Sequence, residues 1–398
     1  MCQEIVIIGG GIAGLSAASE LARLRGAGHG ILVLEAEEDV ALHSSSRSAQ
    51  QLIPGYGPGP VLELTRWSID QILRAGEELA APLAWPSAFV VAGRPEDVAA
   101  MAAPGMRSLS REDLVLLCPE LAANPERYPS AAVDDSAVRT DASALVAWHR
   151  ARAEAAGVEI RTDARVVGLS PQEGETWVVD VVGSGKTAAR SETAVRARTV
   201  VNAAGSWAEH VGALAGATPQ GLQPYRRTAA LVSLAEPFVP EHPMVDDAAQ
   251  DWYYRPDPVG AMISWGEAEP SEPCDATPHD GAVAALIETL ERETALRITG
   301  TVKEWTGLRT SRPSDVPVCG WDTAAPGFFW LAGQGGYGFQ TSSALARATA
   351  ELVVQGRVGW WLSADTVEAL RPAARDADVV LRCPTGTDGN PATGGAAL

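Results

Sequence analysis

Three glycines near the start of the chain are spaced to cradle a diphosphate. Gly9-x-Gly11-x-x-Gly14 follows the apolar run Glu4-Ile5-Val6-Ile7-Ile8 and precedes a segment, Leu15 to Leu24, in which Leu and Ala recur at helical spacing. In such a strand–turn–helix unit the first glycine makes the tight turn. The second lets backbone N–H groups approach a pyrophosphate at the helix N-terminus, and the third lets helix pack on strand. Glu35 closes the next buried run, Ile31-Leu32-Val33-Leu34. It lies about twenty residues beyond the turn, where a carboxylate accepts the ribose hydroxyls of a dinucleotide. A bare glycine pattern is weak, but the whole βαβ unit is specific. One copy is present, which implies one dinucleotide, NAD or FAD, and not two.

A second glycine nest, Gly335-Gly336-Tyr337-Gly338, opens a helix expected over 341–354. Alone it reads equally well as an ordinary turn. Paired with the first, it suggests a chain returning to the far end of the same cofactor, where a helix N-terminus would stabilise charge on a reduced flavin. Gly183-Ser184-Gly185-Lys186-Thr187 imitates the end of a P-loop, but Asp180 stands where that motif needs glycine, so it reads as a hairpin turn. None of the six histidines joins an acid/base or metal pattern; His149 falls on a helix and reads as exposed. No metal is expected.

The elements that would position these residues alternate between strand and helix. Helices are expected over 62–79, 141–156 and 279–296. A strand is expected at Val158–Arg161, hairpin-like strands around Trp177–Val182, and buried strands at Thr199–Asn202 and Phe328–Ala332. The stretch 222–312 is β-rich and aromatic, and 82–138 reads as an excursion from the first domain. At roughly 150 residues per domain, 398 residues imply two interleaved domains. Hydrophobic residues make up 46% and charged residues 20%, the balance of a globular protein with a large core. The net charge of −19 repels phosphate backbones, which argues against nucleic acid as a partner. Five scattered cysteines without C-x-x-C, no basic start at Met1-Cys2-Gln3-Glu4 and no run of about 18 apolar residues lead to the expectation of a cytoplasmic protein with no integral membrane segment.

Five segments occur in order: Ile7 to Gly14, His43-Ser44-Ser45-Ser46-Arg47-Ser48-Ala49, Val201 to Trp207, Trp305-Thr306-Gly307-Leu308-Arg309, and Gly335 to Ser342. Together they resemble the FAD-dependent amine and D-amino acid oxidase family, which includes glycine oxidase and sarcosine oxidase, with bacterial D-arginine dehydrogenase the nearest likeness. The resemblance covers about residues 4–355 and fails in the tail.

It implies an α/β fold: a Rossmann-like FAD-binding domain from residues 1–84, 139–212 and 313–384, with an inserted antiparallel β-sheet substrate domain (α+β) from 85–138 and 213–312. Residues 385–398 would form a loose tail. It further implies hydride transfer from an amine's α-carbon to flavin N5, giving an imine that hydrolyses to a keto acid or aldehyde. Covalently flavinylated relatives carry a cysteine shortly after the position of Arg309. Thr310 to Pro317 contains none, so FAD is expected to be non-covalent.

By the same resemblance the cofactor contacts are Gly9, Gly11, Ile12, Ala13, Gly14, Glu35 and Ala36, the loop Ser44, Ser45, Ser46, Arg47, Ser48, Ala49 and Gln51, then Val166, Ala204, Gly205 and Trp207. Gly335, Gly336, Tyr337, Gly338, Phe339 and Gln340 complete them. Arg226 and Arg309 would clamp a carboxylate, for which arginine's rigid fork is suited. Tyr253 would donate to the same carboxylate, and Tyr56 would sit on a lid. The plain alternative is that both arginines are surface residues, arginine's usual place.

Ile53, Ala88, Trp252 and Gly336 are expected to line the substrate pocket. Met262 and Trp265 are better read as core. Ala88 stands where the D-arginine enzyme has a glutamate, and Gln51 and Ile53 replace its histidine and threonine, so cationic substrates are expected to be disfavoured. The reading is oxidative deamination of a small carboxylate-bearing amine or D-amino acid, by a monomer or homodimer, with oxygen or a quinone as acceptor. Oxidation of a secondary amine or an N–N-linked glycine-like intermediate is the rival reaction. A non-catalytic FAD-binding protein and an NAD-dependent reductase are the rivals from other classes.

Overall fold

In the computed structural model, residues 2–183 and 192–374 are described. The turn read at Ser184–Thr187, Cys383 and the tail 385–398 lie outside the described residues. Two eight-stranded sheets and one three-stranded sheet carry the fold.

The first sheet is built on the strand Cys2–Ile8, which leads into the glycine turn and lies parallel between Ile31–Leu34 and Glu192–Asn202. Phe328–Ala332 adds parallel to Glu192–Asn202, and Glu159–Arg161 to Ile31–Leu34. Of these, Ile31–Leu34 and Phe328–Ala332 are continuous apolar runs buried along their whole length, the signature of a parallel sheet covered on both faces. One face packs on the helices Ile12–Arg25 and Ser342–Gln355 through Ile5, Ile7, Leu21 and Ala348. The antiparallel strands Ala164–Gln172 and Thr176–Gly183 extend one edge.

The second sheet runs in the order Ile298–Ser311, Gln223–Leu234, Gly260–Trp265, Trp252–Asp257, Met244–Asp247, Phe89–Gly93, Ser130–Asp134, Arg107–Leu109. It is antiparallel except at one junction, where Met244–Asp247 lies parallel to Phe89–Gly93. The two strands there come from separate excursions of the chain that enter the sheet in the same direction.

Each strand of this sheet alternates between two clusters. Val90, Val245, Tyr254 and Ile263 face one core, which the helix Ala282–Glu293 closes through Val283, Leu286 and Leu290. Phe89, Val91, Met244, Tyr253, Met262 and Ala229 face the other way. Ladder partners share a face, so the row Val91, Asp246, Tyr253, Ser264, Ala229, Trp305 runs across one side.

His149 departs from expectation: it is buried in the helix Ala142–Ala155, with no hydrogen bond to either ring nitrogen. Burial pushes its imidazole down to about 3. The helix turns this position toward the core, which the flanking sequence does not reveal.

Leu286 is fully buried beneath the second sheet, on the side away from the glycine cradle. Leu286→Ala is expected to cost about 2–5 kcal/mol, read as a lower denaturation midpoint. The flavin content of the folded protein should not change.

Candidate active site

Gly9 has φ +108°, and a Cβ there would stand 2.4 Å from the Ala203 carbonyl oxygen. A Cβ on Gly14 would lie 1.9 Å from the Gly9 carbonyl oxygen, so helix and strand meet only because that atom is absent. The helix Ile12–Arg25 has no side-chain cap of its own. Ser45 supplies one from a distance, its Oγ accepting from the Ile12 N–H at 3.0 Å. The same loop reaches the second sheet, where Ser44 donates to the Leu308 carbonyl at 2.7 Å. One short loop therefore ties the glycine cradle to the strand that carries Arg309.

A cavity of about 930 Å³ opens at this junction, near the upper end of the ~300–1,000 Å³ usual for ligand sites. Gly9, Gly11, Glu35, Ala36, Ser44, Ser45, Val166, Ala204, Gly205 and Trp207 all line it. Glu35 accepts from the Gly10 N–H at 2.7 Å through one oxygen and from the Glu37 N–H at 3.0 Å through the other. Each carboxylate oxygen keeps capacity for a ribose hydroxyl. The cradle, the helix N-terminus and the carboxylate fit the adenosine and diphosphate of FAD.

Other expected contacts lie behind this lining. Ile12, Ala13 and Gly14 form the start of the helix. Ser46 bonds back to the Leu42 and His43 carbonyls, and Ser48 accepts from Gln50. Arg47 donates to the Thr306 carbonyl at 2.7 Å and pairs with Asp275, so it fastens the loop and is not a free cation for the diphosphate.

A second, small cavity of about 50 Å³ lies on the inward face of the second sheet. Ala49, Gln51, Ile53, Tyr56, Tyr253, Arg309, Gly336 and Gln340 line it, bringing together residues from 49 to 340. The Arg309 guanidinium lies over Gly336, where a Cβ would stand 3.4 Å from its Nη1. Arg309 Nη2 donates to the Tyr253 hydroxyl at 3.1 Å.

Gln340 accepts from the Ile53 N–H and donates to the Tyr56 carbonyl at 3.1 Å, which ties the segment around Tyr56 to the second glycine nest. Tyr337 meets the Tyr56 ring edge-on at 5.4 Å. Phe339 is core, packed with Ile12 and Leu15. Gly335 holds the turn with φ +51°, and Gly338 sits beside Ile12 at the start of the first helix.

Three expected pocket residues point elsewhere. The Arg226 side chain lies on the opposite face of its strand, with its guanidinium on the Thr277 carbonyl and 3.9 Å from Glu269. Its neighbour Arg227 lines the cavity instead. Burial and the nearby charge of Arg309 push the Arg227 guanidinium down to about 10. A one-residue step in a strand reverses the face, so motif spacing alone could not choose between the two arginines.

Trp252 is fully buried behind the sheet, donating from Nε1 to Glu293 at 2.7 Å. Ala88 packs against that same rear core and gives its carbonyl to the Met244 N–H. Ala88 therefore does not line the small cavity and sets no charge preference there. Met262 and Trp265 are core as read.

Asp246 was missed. It faces the cavity from the row that carries Tyr253, its direct ladder partner. Burial raises its carboxyl to about 7 against the pull of Arg227. The only signal in the sequence was the acidic pair Asp246-Asp247, of which Asp247 turns to the rear and meets Arg127 at 3.0 Å. Also unforeseen is the buried group Cys118, Glu120 and His242 behind the sheet. There His242 Nε2 meets both Glu120 oxygens and Nδ1 meets the Pro243 carbonyl, so the ring's polar atoms are already engaged.

Cys319 lies in the core packed on the first sheet beside Thr349, and burial pushes its thiol up to about 12. Neither cavity includes it. Acid precipitation of the yellow protein is expected to leave the flavin in the supernatant; colour held in the pellet would show a covalent bond. Gly14→Val should yield protein without bound flavin, checked by absorbance of the purified variant.

Residues 4–352 match the family described as DAO, FAD dependent oxidoreductase. The fold is similar to that of L-proline dehydrogenase from P. horikoshii, at 20% identity and TM-score 0.76 over 93% of this chain and 97% of that one. Glycine oxidase from Geobacillus kaustophilus matches at 18% identity and TM-score 0.76, over 93% and 98% of the two chains. Iminodiacetate oxidase from Chelativorans sp. BNC1 matches at 16% and 0.71, over 94% and 100%. With both the cradle and the family match in place, the chain belongs to the DAO family of FAD-dependent oxidoreductases.

Proposed function

We propose that this enzyme oxidises the C–N bond of a small carboxylate-bearing amine or amino acid. The observation that carries the reading is the convergence of Arg227, Arg309 and the Tyr253 hydroxyl on one small cavity beside Gly336. Two guanidiniums flank the Tyr253 ring, with their carbons 6.0 and 5.9 Å from its centroid. Burial alone would lower Arg309, but Tyr253, Tyr56 and Asp246 hold it above its ordinary value, so it stays charged. Asp246 is the single carboxylate lining this cavity beside two cations, which leaves positive charge for a substrate carboxylate to balance.

FAD, once bound, supplies the two-electron acceptor for the amine. The protein's part is to hold the carboxylate on the arginines, so that the adjacent carbon is presented from a constant direction. Ile53, Met101, Met244 and Tyr56 wall the cavity with apolar surface and exclude water. The solved relatives named above carry the names of proline, glycine and iminodiacetate, all carboxylate-bearing amines. Two of these are secondary amines, which places N-substituted glycines beside D-amino acids as test substrates. The imine product hydrolyses to a keto acid or aldehyde, and oxygen or a quinone accepts the electrons.

Anaerobic bleaching of the flavin against such a panel tests the reading, and a flavin that no amine bleaches would refute it. Losing a charge-assisted contact of this kind costs roughly 2–4 kcal/mol. Arg309→Met and Arg227→Met should each lower kcat/KM for a carboxylate substrate by about 30- to 1000-fold. Arg226→Met, on the other face, should change it less than about threefold. Equal losses at 226 and 227 would contradict the assignment.

A further inference from the structure

The Asp246 carboxylate faces the small cavity, and among the described residues no hydrogen bond or ion pair within 4 Å reaches it. A half-buried carboxylate without a hydrogen-bond donor is costly to keep, and a ligand that brings a donor recovers that cost. Its strand neighbour Asp247 is different, since it has Arg127 and the Asp251 N–H as partners. Asp246 is thus the acid of the pair with its acceptor capacity unspent.

The sheet order gives the cavity two poles. Asp246 stands on Met244–Asp247, Tyr253 on the next strand, and Arg227 two strands beyond that. At about 4.8 Å per strand, the backbones that carry Asp246 and Arg227 are roughly 14 Å apart. The arginine arms shorten this gap by reaching back over the Tyr253 ring. Asp246 thus stands on the strand beside Tyr253, while the two guanidiniums lie over the Tyr253 ring.

We infer that Asp246 recognises a protonated nitrogen of the substrate, at the far end from the carboxylate held by Arg227 and Arg309. This inference rests on the carboxylate reading and narrows it. The substrate class is a zwitterion that bears, besides its carboxylate, a second basic nitrogen that stays charged while the reacting amine is neutral. A cavity of about 50 Å³ favours a short connection between the two ends.

The test uses the flavin-loaded enzyme and ligands that bind without being oxidised. Propionate, butyrate and hexanoate are titrated against 3-aminopropionate, 4-aminobutyrate and 6-aminohexanoate, with the flavin spectrum as readout. At one chain length the wild type should prefer the amino ligand over its neutral partner. Asp246→Asn should erase about ten- to a hundred-fold of that preference, the range of a hydrogen bond between charged groups. Binding of the neutral carboxylates should be kept or tightened. Asp246→Ser provides the same comparison in a smaller side chain, should the amide disturb folding.

A preference ratio unchanged in both flavin-loaded variants, or no preference in the wild type at any length, overturns the role of Asp246 while leaving the arginine clamp standing. If no carboxylate perturbs the flavin, and Arg309→Met changes nothing, the clamp fails and this inference with it.

Discussion

The alternation of side chains across the second sheet decides which residues reach the small cavity. Its rear face must bury Trp252, Tyr254, Val90 and Ile263 against the helix Ala282–Glu293. A one-residue slip would throw that core into the cavity. The hydrophobic demand of the rear thereby decides what stands in front. In the pairs Arg226-Arg227, Trp252-Tyr253 and Asp246-Asp247, one member serves the core or its rim and the other faces the small cavity.

The glycine cradle could be read directly because its function depends on local chain geometry. Gly9, Gly14 and Glu35 sit within one βαβ unit, and their spacing is itself the constraint. Parallel strands such as Ile31–Leu34 announce themselves for a related reason, since burial on both faces leaves no polar residue to blur the run. The small cavity is different. Arg309 and Tyr253 were recognisable from motif context, whereas Arg227 and Asp246 depend on register between strands far apart in sequence. Position 88 shows the same limit: resemblance placed it in the pocket, and strand parity turned it away. The second sheet's single parallel junction was likewise invisible to periodicity.

Electrostatics divides the molecule by scale. The net charge of −19 lies mostly on the outside, where water and salt screen it within about 8 Å. Inside the small cavity the sign reverses, because Arg227 and Arg309 outnumber Asp246. A free anion meets a repulsive surface before it meets an attractive site. A ligand without net charge approaches that surface with less opposition.

The parallel pairing of Phe89–Gly93 with Met244–Asp247 also bears on how the chain acquires its structure. These partners are roughly 150 residues apart in sequence, and the strand Cys2–Ile8 waits nearly 200 residues for Glu192–Asn202. Such long-range closures are slow, because chain entropy is lost before the contacts that repay it can form. During synthesis the nascent chain must therefore hold unpaired, apolar strand edges until well past its middle. The inner row of the second sheet cannot assemble before the linking segment through the first domain has been made. Neither sheet is a self-contained stretch of chain, so the two are expected to mature together, with aggregation of half-made chains the natural competitor.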